Sequence, residues 1–219
     1  VDEKISELQC LEVLLLQHNM IPSFPESASN LTKLIEINLN ENKIPKLPNV
    51  SQWTQLTSLE ASSNRIKNIP DGIGNLTKLQ KLDLTLNYIS SLPDEFFQLT
   101  SLQFLRLKHN ELDKIPEKIA LLTKLEELNI DYNSLGAANA SAFLHSLTNL
   151  KTLKLISMNY NFSTPFTIPD DIKPWVQQNN VKIECEFEPA NAVMEKLYLG
   201  SANAASNKCY LQSLGITHI

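Results

Sequence analysis

The sequence predicts an α/β repeat solenoid, with a parallel β-sheet on its concave face and extended or 3-10 arms on its convex face. Asparagine recurs at intervals of 23, 22, 23, 23 and 23 residues. Each asparagine ends the same apolar pattern, which in the fourth repeat is Leu79, Leu82, Leu84 and then Asn87. A fixed period of this length is typical of stacked repeats that bury one continuous core. The asparagines of this predicted ladder are Asn19, Asn42, Asn64, Asn87, Asn110 and Asn133.

Each repeat is predicted to contribute one short strand to the concave sheet. Leu82 and Leu84 alternate with Lys81 and Asp83, which is the period-two pattern of a half-buried strand. Asn87 follows where that strand ends. Its amide can donate and accept hydrogen bonds at once, so stacked asparagines should satisfy the backbone groups of neighbouring repeats.

The return arms pair an apolar residue with proline, as in Leu92-Pro93. Proline lacks an N–H and fixes φ, which blocks a long helix and favours extended or 3-10 geometry. With the Ile-Gly-Asn-Leu-Thr segment Ile73–Thr77, the pattern Leu-x-x-Leu-x-Leu-x-x-Asn resembles the intracellular 23-residue class of leucine-rich repeats. The resemblance implies a horseshoe fold and a scaffold for protein binding.

Three departures from the pattern carry structural expectations. The arm from Asn42 to Trp53 is one residue short, and Trp53 should fill it. The arm after Asn133 is longer, and Ala137–Leu147 is predicted to form a short helix. A seventh strand then begins with Leu150, Leu153 and Leu155, which puts Met158 at the ladder position and ends the ladder there. The repeats, about seven, are therefore predicted to occupy residues 1–158.

Residues 159–187 are predicted to form a C-terminal cap. A short helix within Asp170–Gln178 would carry Trp175 over the end of the core. Val181 and Ile183 then begin an alternating segment that predicts a closing strand. At the other end, Ile5 and Leu8 match a convex arm in spacing, so the chain is either an excerpt of a longer protein or opens with a minimal cap.

Residues 188–219 fit no repeat. Leu-Tyr-Leu-Gly-Ser at 197–201 and Leu-Gly-Ile-Thr-His-Ile at 214–219 resemble the start of a dual-specificity protein phosphatase domain. The resemblance covers about 30 residues at the C-terminus, and the family's His-Cys-x5-Arg catalytic loop is missing. We therefore expect no catalytic residue and no phosphatase activity in this chain. The stub could pack on the cap or pair with a second copy through its open strands.

Composition narrows the class of partner. The formal net charge of −5 argues against a nucleic-acid binder, and no apolar run is long enough to span a membrane. Three dispersed cysteines without terminal clusters predict an intracellular, cytoplasmic protein. Five Asn-x-Ser/Thr sequons, which include Asn30 and Asn75, support the alternative of an extracellular receptor. The sequence predicts no metal site and no cofactor.

The concave strand residues are the predicted partner-binding surface. Phe104 and Arg106, flanked by His109, Asp131 and Tyr132, form a cluster rich in the residue types of binding hot spots, and Phe104 interrupts a polar row. In the seventh repeat the same reasoning places Thr152, Lys154 and Ile156 on this face. The candidate contact residues are Asp83, Phe104, Arg106, Lys108, His109, Glu127, Asp131 and Tyr132.

Three functions are compatible with these features. The first is a targeting scaffold that binds another protein on its concave face and serves as the recruiting part of a protein phosphatase. The second is the phosphatase itself, of which this chain is a non-catalytic portion. The third is an extracellular recognition receptor. A shallow surface without any partner is the alternative to all three.

Overall fold

The fold is a parallel sheet whose strands follow one another in chain order. The computed structural model describes residues 1–162 and 166–186, together with the backbone of two short strands at 191–194 and 197–199. Eight strands lie side by side, each parallel to the next, which confirms the predicted solenoid. They are β1 (Val13–Leu15), β2 (Glu36–Asn38), β3 (Ser58–Glu60), β4 (Lys81–Asp83), β5 (Phe104–Arg106), β6 (Glu127–Asn129), β7 (Leu155–Ser157) and β8 (Lys182–Glu184). Two further strands, β9 (Asn191–Met194) and β10 (Leu197–Leu199), pair antiparallel with each other.

The convex side is built from short 3-10 turns, as the Leu-Pro arms predict. Pro93 precedes one of them with φ −72° and ψ 161°, so the chain enters the turn from an extended conformation. The apolar strand residues face the arms, and Leu82, Leu105 and Leu128 are fully buried. The 3-10 turns are Glu3–Glu7, Glu26–Asn30, Ile73–Asn75, Asp94–Gln98 and Glu117–Leu121.

Trp53 fills the shortened arm, as expected. Its side chain is fully buried, and its indole Nε1 donates to the backbone oxygen of Ala28 at 3.0 Å. Ala61, the small residue of the same coil, is also fully buried. A large and a small side chain thus occupy positions that hold two leucines in other coils.

The ladder asparagines tie each coil to the one before it. Asn87 donates from Nδ2 to the oxygens of Ala61, Leu84 and Thr85 at 2.9, 3.1 and 3.2 Å. Its Oδ1 accepts from the backbone N–H of Ile66 at 2.9 Å. The same four bonds recur at Asn42, Asn64, Asn110 and Asn133, except that the last contact of Asn110 stretches to 3.4 Å. Asn19 is exposed and donates only within its own coil, to Leu16 and Gln17.

The prediction that the ladder ends at Met158 is wrong. Leu128 pairs with Ile156, so Ile156 points into the core, and Met158 is the next buried hydrophobic residue. Asn161 then donates to the oxygens of Ile130, Met158 and Asn159, as a ladder residue does. The predicted repeat frame, which is the assignment of residues to strand and ladder positions, therefore lies three residues too early in the seventh coil. The reason is that the arm after Asn133 is longer than the sequence pattern indicates.

This correction changes the concave face of the seventh coil. The positions that the sequence pattern predicts for Thr152, Lys154 and Ile156 are taken by Leu155, Ser157 and Asn159. The amide of Asn161, one of the five sequons, is committed to backbone carbonyls and buried.

The C-terminal region contains two helices, α1 (Ala137–Leu147) and α2 (Lys173–Gln178). Both fall where the sequence predicts a helix, and Trp175 on α2 packs against the core in a half-buried position. β8 pairs with β7 where a closing strand is predicted. The phosphatase-like segment 188–219 lies outside the described residues, apart from the backbone of β9 and β10. The predicted self-association of that stub therefore stays a prediction, as do the boundaries at 158 and 187.

His145 links α1 to the segment that leads into α2. Its Nδ1 lies 2.7 Å from the oxygen of Ser141, and its Nε2 lies 2.8 Å from Asp171 Oδ2. Both partners are acceptors, and a neutral imidazole can donate to only one of them. The contact with Ser141, followed by that with Asp171, raises the pKa of His145, and the bond to His145 lowers the pKa of Asp171.

This link should make stability depend on pH. The raised pKa of His145 stabilises the folded state fully below the unfolded histidine value of about 6.5, and the contribution is lost as pH rises through the folded value. We expect the urea midpoint of the parent chain to exceed that of His145→Gln at pH ~5.5 and to approach it at pH ~8.5. A difference that grows with pH would contradict this account of the pair.

Candidate partner-binding surface

The strand register sets the concave face. Phe104 pairs laterally with Lys81 and Glu127, and Arg106 pairs with Asp83 and Asn129. The β5 side chains therefore lie in two rows with their neighbours from β4 and β6, as the sequence predicts. Phe104 is half-buried rather than fully exposed, so it offers one part of its ring to solvent.

Arg106 is held between two carboxylates. Its Nε lies 3.1 Å from Glu127 Oε1, and one terminal nitrogen lies 3.9 Å from Asp83 Oδ2. The hydrogen bond to Glu127 is the main cause that raises the pKa of Arg106; burial opposes it, and the charges of Glu127, Asp83 and Glu60 add to it. The guanidinium is thus oriented before any partner arrives, which lowers the entropy lost on binding.

A second polar network covers the preceding coils. Glu60 pairs with Lys81, and its other oxygen accepts from Asn40 Nδ2 at 3.0 Å. Asn40 in turn accepts from the backbone N–H of Ser62 at 2.7 Å. These side chains belong to successive coils, so the middle of the face is a preformed polar surface.

Asp131 does not present a free carboxylate. It is 6% exposed, and its Oδ1 accepts from Ser157 Oγ at 2.7 Å and from the backbone N–H of Asn159 at 2.8 Å. Its prediction as a contact residue is corrected: it joins β6 to the seventh coil. The frame error in that coil hid both partners from sequence reasoning.

His109 and Tyr132 belong to an aromatic column at the edge of the concave face. The two rings stack at 4.1 Å between centroids, and Tyr132 meets Tyr160 at 4.5 Å. Lys108 Nζ lies 5.2 Å from the Tyr132 centroid, and Tyr160 Oη donates to Glu186 at 2.9 Å.

The charge state of His109 follows from this packing. Burial lowers the pKa of His109 and Lys108 adds to the effect, while Asp131 opposes it. The imidazole is therefore biased towards its neutral form, which suits a stacked ring. Tyr160 was missed because the predicted frame did not place it before a ladder asparagine.

The residue before each ladder asparagine is left-handed. Leu86, His109, Tyr132 and Tyr160 have φ between 52° and 58°. The same conformation occurs in the first three coils, at His18, Glu41 and Ser63. It lets the chain turn out of the strand and places these side chains along one rim of the sheet.

The described residues lack the side-chain grouping of a metal site, and Cys185 lacks the environment of a reactive thiol. In residues 1–162 and 166–186, no three His, Cys, Asp or Glu side chains are grouped to hold a metal ion. Cys185 is half-buried, and burial raises the pKa of its thiol, which disfavours the reactive thiolate. Among the helices that the structure describes, none is long and apolar enough to cross a membrane.

Comparison with known proteins points to one family. The model described as a leucine-rich repeat region matches residues 45–167. Mouse leucine-rich repeat and calponin homology domain-containing protein 1 is 36% identical over 76 residues, which are 35% of this chain and 11% of the mouse protein.

Solved structures agree in fold. A leucine-rich repeat protein of Leptospira interrogans superposes with a TM-score of 0.67 and 25% identity, over 84% of this chain and 51% of that chain. The leucine-rich repeat ectodomain of the Arabidopsis thaliana receptor kinase GASSHO1, solved in complex with Casparian strip integrity factor 2, gives a TM-score of 0.69 and 25% identity, over 85% of this chain and 23% of that chain. The chain thus spans only about half, or much less, of the relatives it resembles.

Proposed function

The chain belongs to the leucine-rich repeat family, and we propose that it is a protein-interaction module that recruits a partner through its concave face. The observation that carries the proposal is the position of Phe104 and Arg106, two residues apart on the same face of β5. An aromatic ring and an oriented guanidinium stand beside each other on β5, in the middle of a polar sheet face. Arg is one of the residues that dominate binding hot spots, and aromatic residues, including Phe, are enriched at interfaces, so an oriented guanidinium beside a half-buried ring fits an anchor.

Relatives give the proposal support of a coarser kind. The Arabidopsis receptor ectodomain was solved in complex with a factor, and a plant receptor, RGFR1, was solved in complex with RGF2. Both share the fold of this chain at TM-scores of 0.69 and 0.68.

The test is a double substitution on β5. Phe104→Ala with Arg106→Ala should weaken affinity for the partner recovered from native material by more than ~2 kcal/mol, measured by titration. Leu121→Ala is a suitable control, because Leu121 is 56% exposed and belongs to a convex 3-10 turn. Unchanged affinity in a folded double variant would remove these residues from the site.

The phosphatase-like residues favour a second candidate, in which the chain is the targeting portion of a protein phosphatase. The support is the sequence at 197–201 and 214–219 alone. The leucine-rich repeat model covers residues 45–167 and therefore does not include this segment. The candidate predicts a His-Cys-x5-Arg loop in the coding sequence beyond Ile219 and no turnover of an aryl phosphate by this chain. Turnover here, or a continuation without that loop, would reject it.

A further inference from the structure

A surface beside the concave face has features that the fold does not require. We call it the rim patch. Its apolar and aromatic part continues along the edge where the chain leaves the strands, and its cations flank that part. The rim patch comprises Leu86, Tyr88, His109 and Tyr132, with Arg65, Lys67 and Lys108.

The backbone at this rim would favour other residues. Leu86 and Tyr132 have φ of 55° and 53°, a conformation that costs an ordinary side chain ~1–2 kcal/mol and that Gly, Asn and Asp adopt most readily. In the first two coils the same positions hold His18 and Glu41, which form an exposed pair at 2.9 Å. The bulky leucine and tyrosine side chains at this position in the fourth and sixth coils are therefore not explained by the turn itself.

The rim patch is exposed to solvent and borders a surface depression. Leu86 is 48% exposed and Tyr88 is 49% exposed. The backbone N–H of Leu86 donates to the oxygen of Lys108 at 2.8 Å, which places the rim residues of the fourth and fifth coils side by side. Tyr88 also lines an open depression of about 520 Å³ together with Lys67, Asn68, Ser90 and Glu111. This volume is in the range of ligand pockets and can take a large side chain.

The charged residues of the rim patch, Arg65, Lys67 and Lys108, are all cations, and Lys67 also lines the depression. Arg65 precedes Tyr88 by one coil at the corresponding position, directly after its ladder asparagine. Arg65 and Lys67 are exposed, and neither makes an ion pair within the described part of the chain. Lys108 is likewise without an ion pair there, and Glu111 lines the depression together with Lys67. This contrasts with the β5 site, where Arg106 is matched by two carboxylates.

We propose that the rim patch docks an acidic segment of a partner protein, with one bulky apolar side chain of that segment in the depression beside Tyr88. Exposed apolar surface bordered by charges marks interaction sites, and unmatched cations select a partner of the opposite sign. The inference rests on the proposed function in that it requires a protein partner. It adds a second contact surface and the chemistry of what binds there.

The test uses a library of short random peptides displayed on phage and selected on the full 219-residue chain. Selected peptides should be acidic and should carry a leucine, phenylalanine, tyrosine or tryptophan. Their affinity should fall at least ~tenfold for the variant Arg65→Glu with Lys67→Glu, and should also fall with added salt. Lys33→Glu with Lys124→Glu is the matched control, since it makes the same change in net charge at two exposed lysines elsewhere.

Leu86→Asn separates a binding role from a structural one. Asparagine accepts the left-handed conformation more readily than leucine, so the unfolding midpoint should stay unchanged or rise. Peptide affinity should nevertheless fall several-fold. A lower midpoint with unchanged affinity would show that Leu86 serves the fold.

Several results would overturn the inference. One is the selection of basic or neutral peptides, or no selection above background. Another is acidic peptides that bind the charge-reversed variant and the matched control equally. A third is that short single-stranded DNA competes with the selected peptides for the chain as well as the peptides themselves do. Phe104→Ala distinguishes the two surfaces. Peptides that lose affinity for Phe104→Ala but not for the rim variants would support the concave site while rejecting the rim patch, and the reverse result would do the opposite.

Discussion

Asn87→Ala should lower the free energy of unfolding by about 3 kcal/mol or more. The substitution removes four hydrogen bonds and leaves the buried N–H of Ile66 without its acceptor. The carbonyls suffer less, because Ala61 still accepts from Asn64 and Leu84 still accepts from Asn110. The stranded N–H and the lost contacts with the preceding coil therefore dominate the cost. Urea denaturation followed by circular dichroism measures it.

Asn19→Ala is the matched control. It occupies the same position of the repeat, but it is exposed and donates only to Leu16 and Gln17 within its own coil. Its loss should cost less than ~1 kcal/mol. Equal costs at Asn19 and Asn87 would mean that the bonds between coils add nothing to stability.

Trp53→Ala should lower the free energy of unfolding by ~3–5 kcal/mol, the range for truncating a buried large aromatic residue. Trp53 is fully buried in the arm that lacks one residue, so few neighbouring atoms can move to fill the space. Thermal or urea denaturation would detect a loss of this size directly.

Trp53→Phe separates volume from hydrogen bonding. Phenylalanine keeps most of the ring volume and loses the bond from Nε1 to the Ala28 oxygen, which still accepts from the N–H of Leu31 at 3.1 Å. We expect a cost clearly below that of the alanine variant. If both variants lost the same stability, the indole bond rather than packing would explain the residue.

The regular part of the fold was predictable because the spacing of residues within each repeat determines which of them face the core. From Asn19 to Asn133 the leucines and the ladder asparagine recur at an almost constant interval, and the strands lie where that interval places them. The position of Trp53 was predictable for the same reason, since a missing residue in a periodic chain must be compensated by volume.

The seventh coil was not predictable from the period alone. α1 replaces a 3-10 turn, so the distance from Asn133 to Asn161 no longer matches the interval. Two series in this coil fit the repeat spacing. The predicted one is Leu150, Leu153 and Leu155, and the one found in the structure is Leu153, Ile156, Met158 and Asn161. That second series keeps the full pattern to its asparagine, which was the signal that could have fixed the frame.

For the candidate site, the sequence predicted which residues lie on the concave face but not which side chains they contact. The alternation in β5 places Phe104 and Arg106 on the concave face. It does not say that Arg106 lies between Asp83 and Glu127, or that Asp131 is used internally, because those facts depend on side chains from neighbouring coils. The aromatic column likewise required the true frame of the seventh coil, which brings Tyr160 beside Tyr132.

α1 also has a geometric effect on the surface that faces a partner. Neighbouring parallel strands lie about 4.8 Å apart, whereas a helix with its side chains is ~10 Å across. β6 and β7 stay in ordinary register in front, while α1 occupies the back of the same coil. A coil that is thin in front and thick behind is a wedge, so we expect the sheet to bend more sharply between β6 and β7 than between β4 and β5. The bend would tilt Tyr160 and the last strands towards a partner bound along the middle of the sheet.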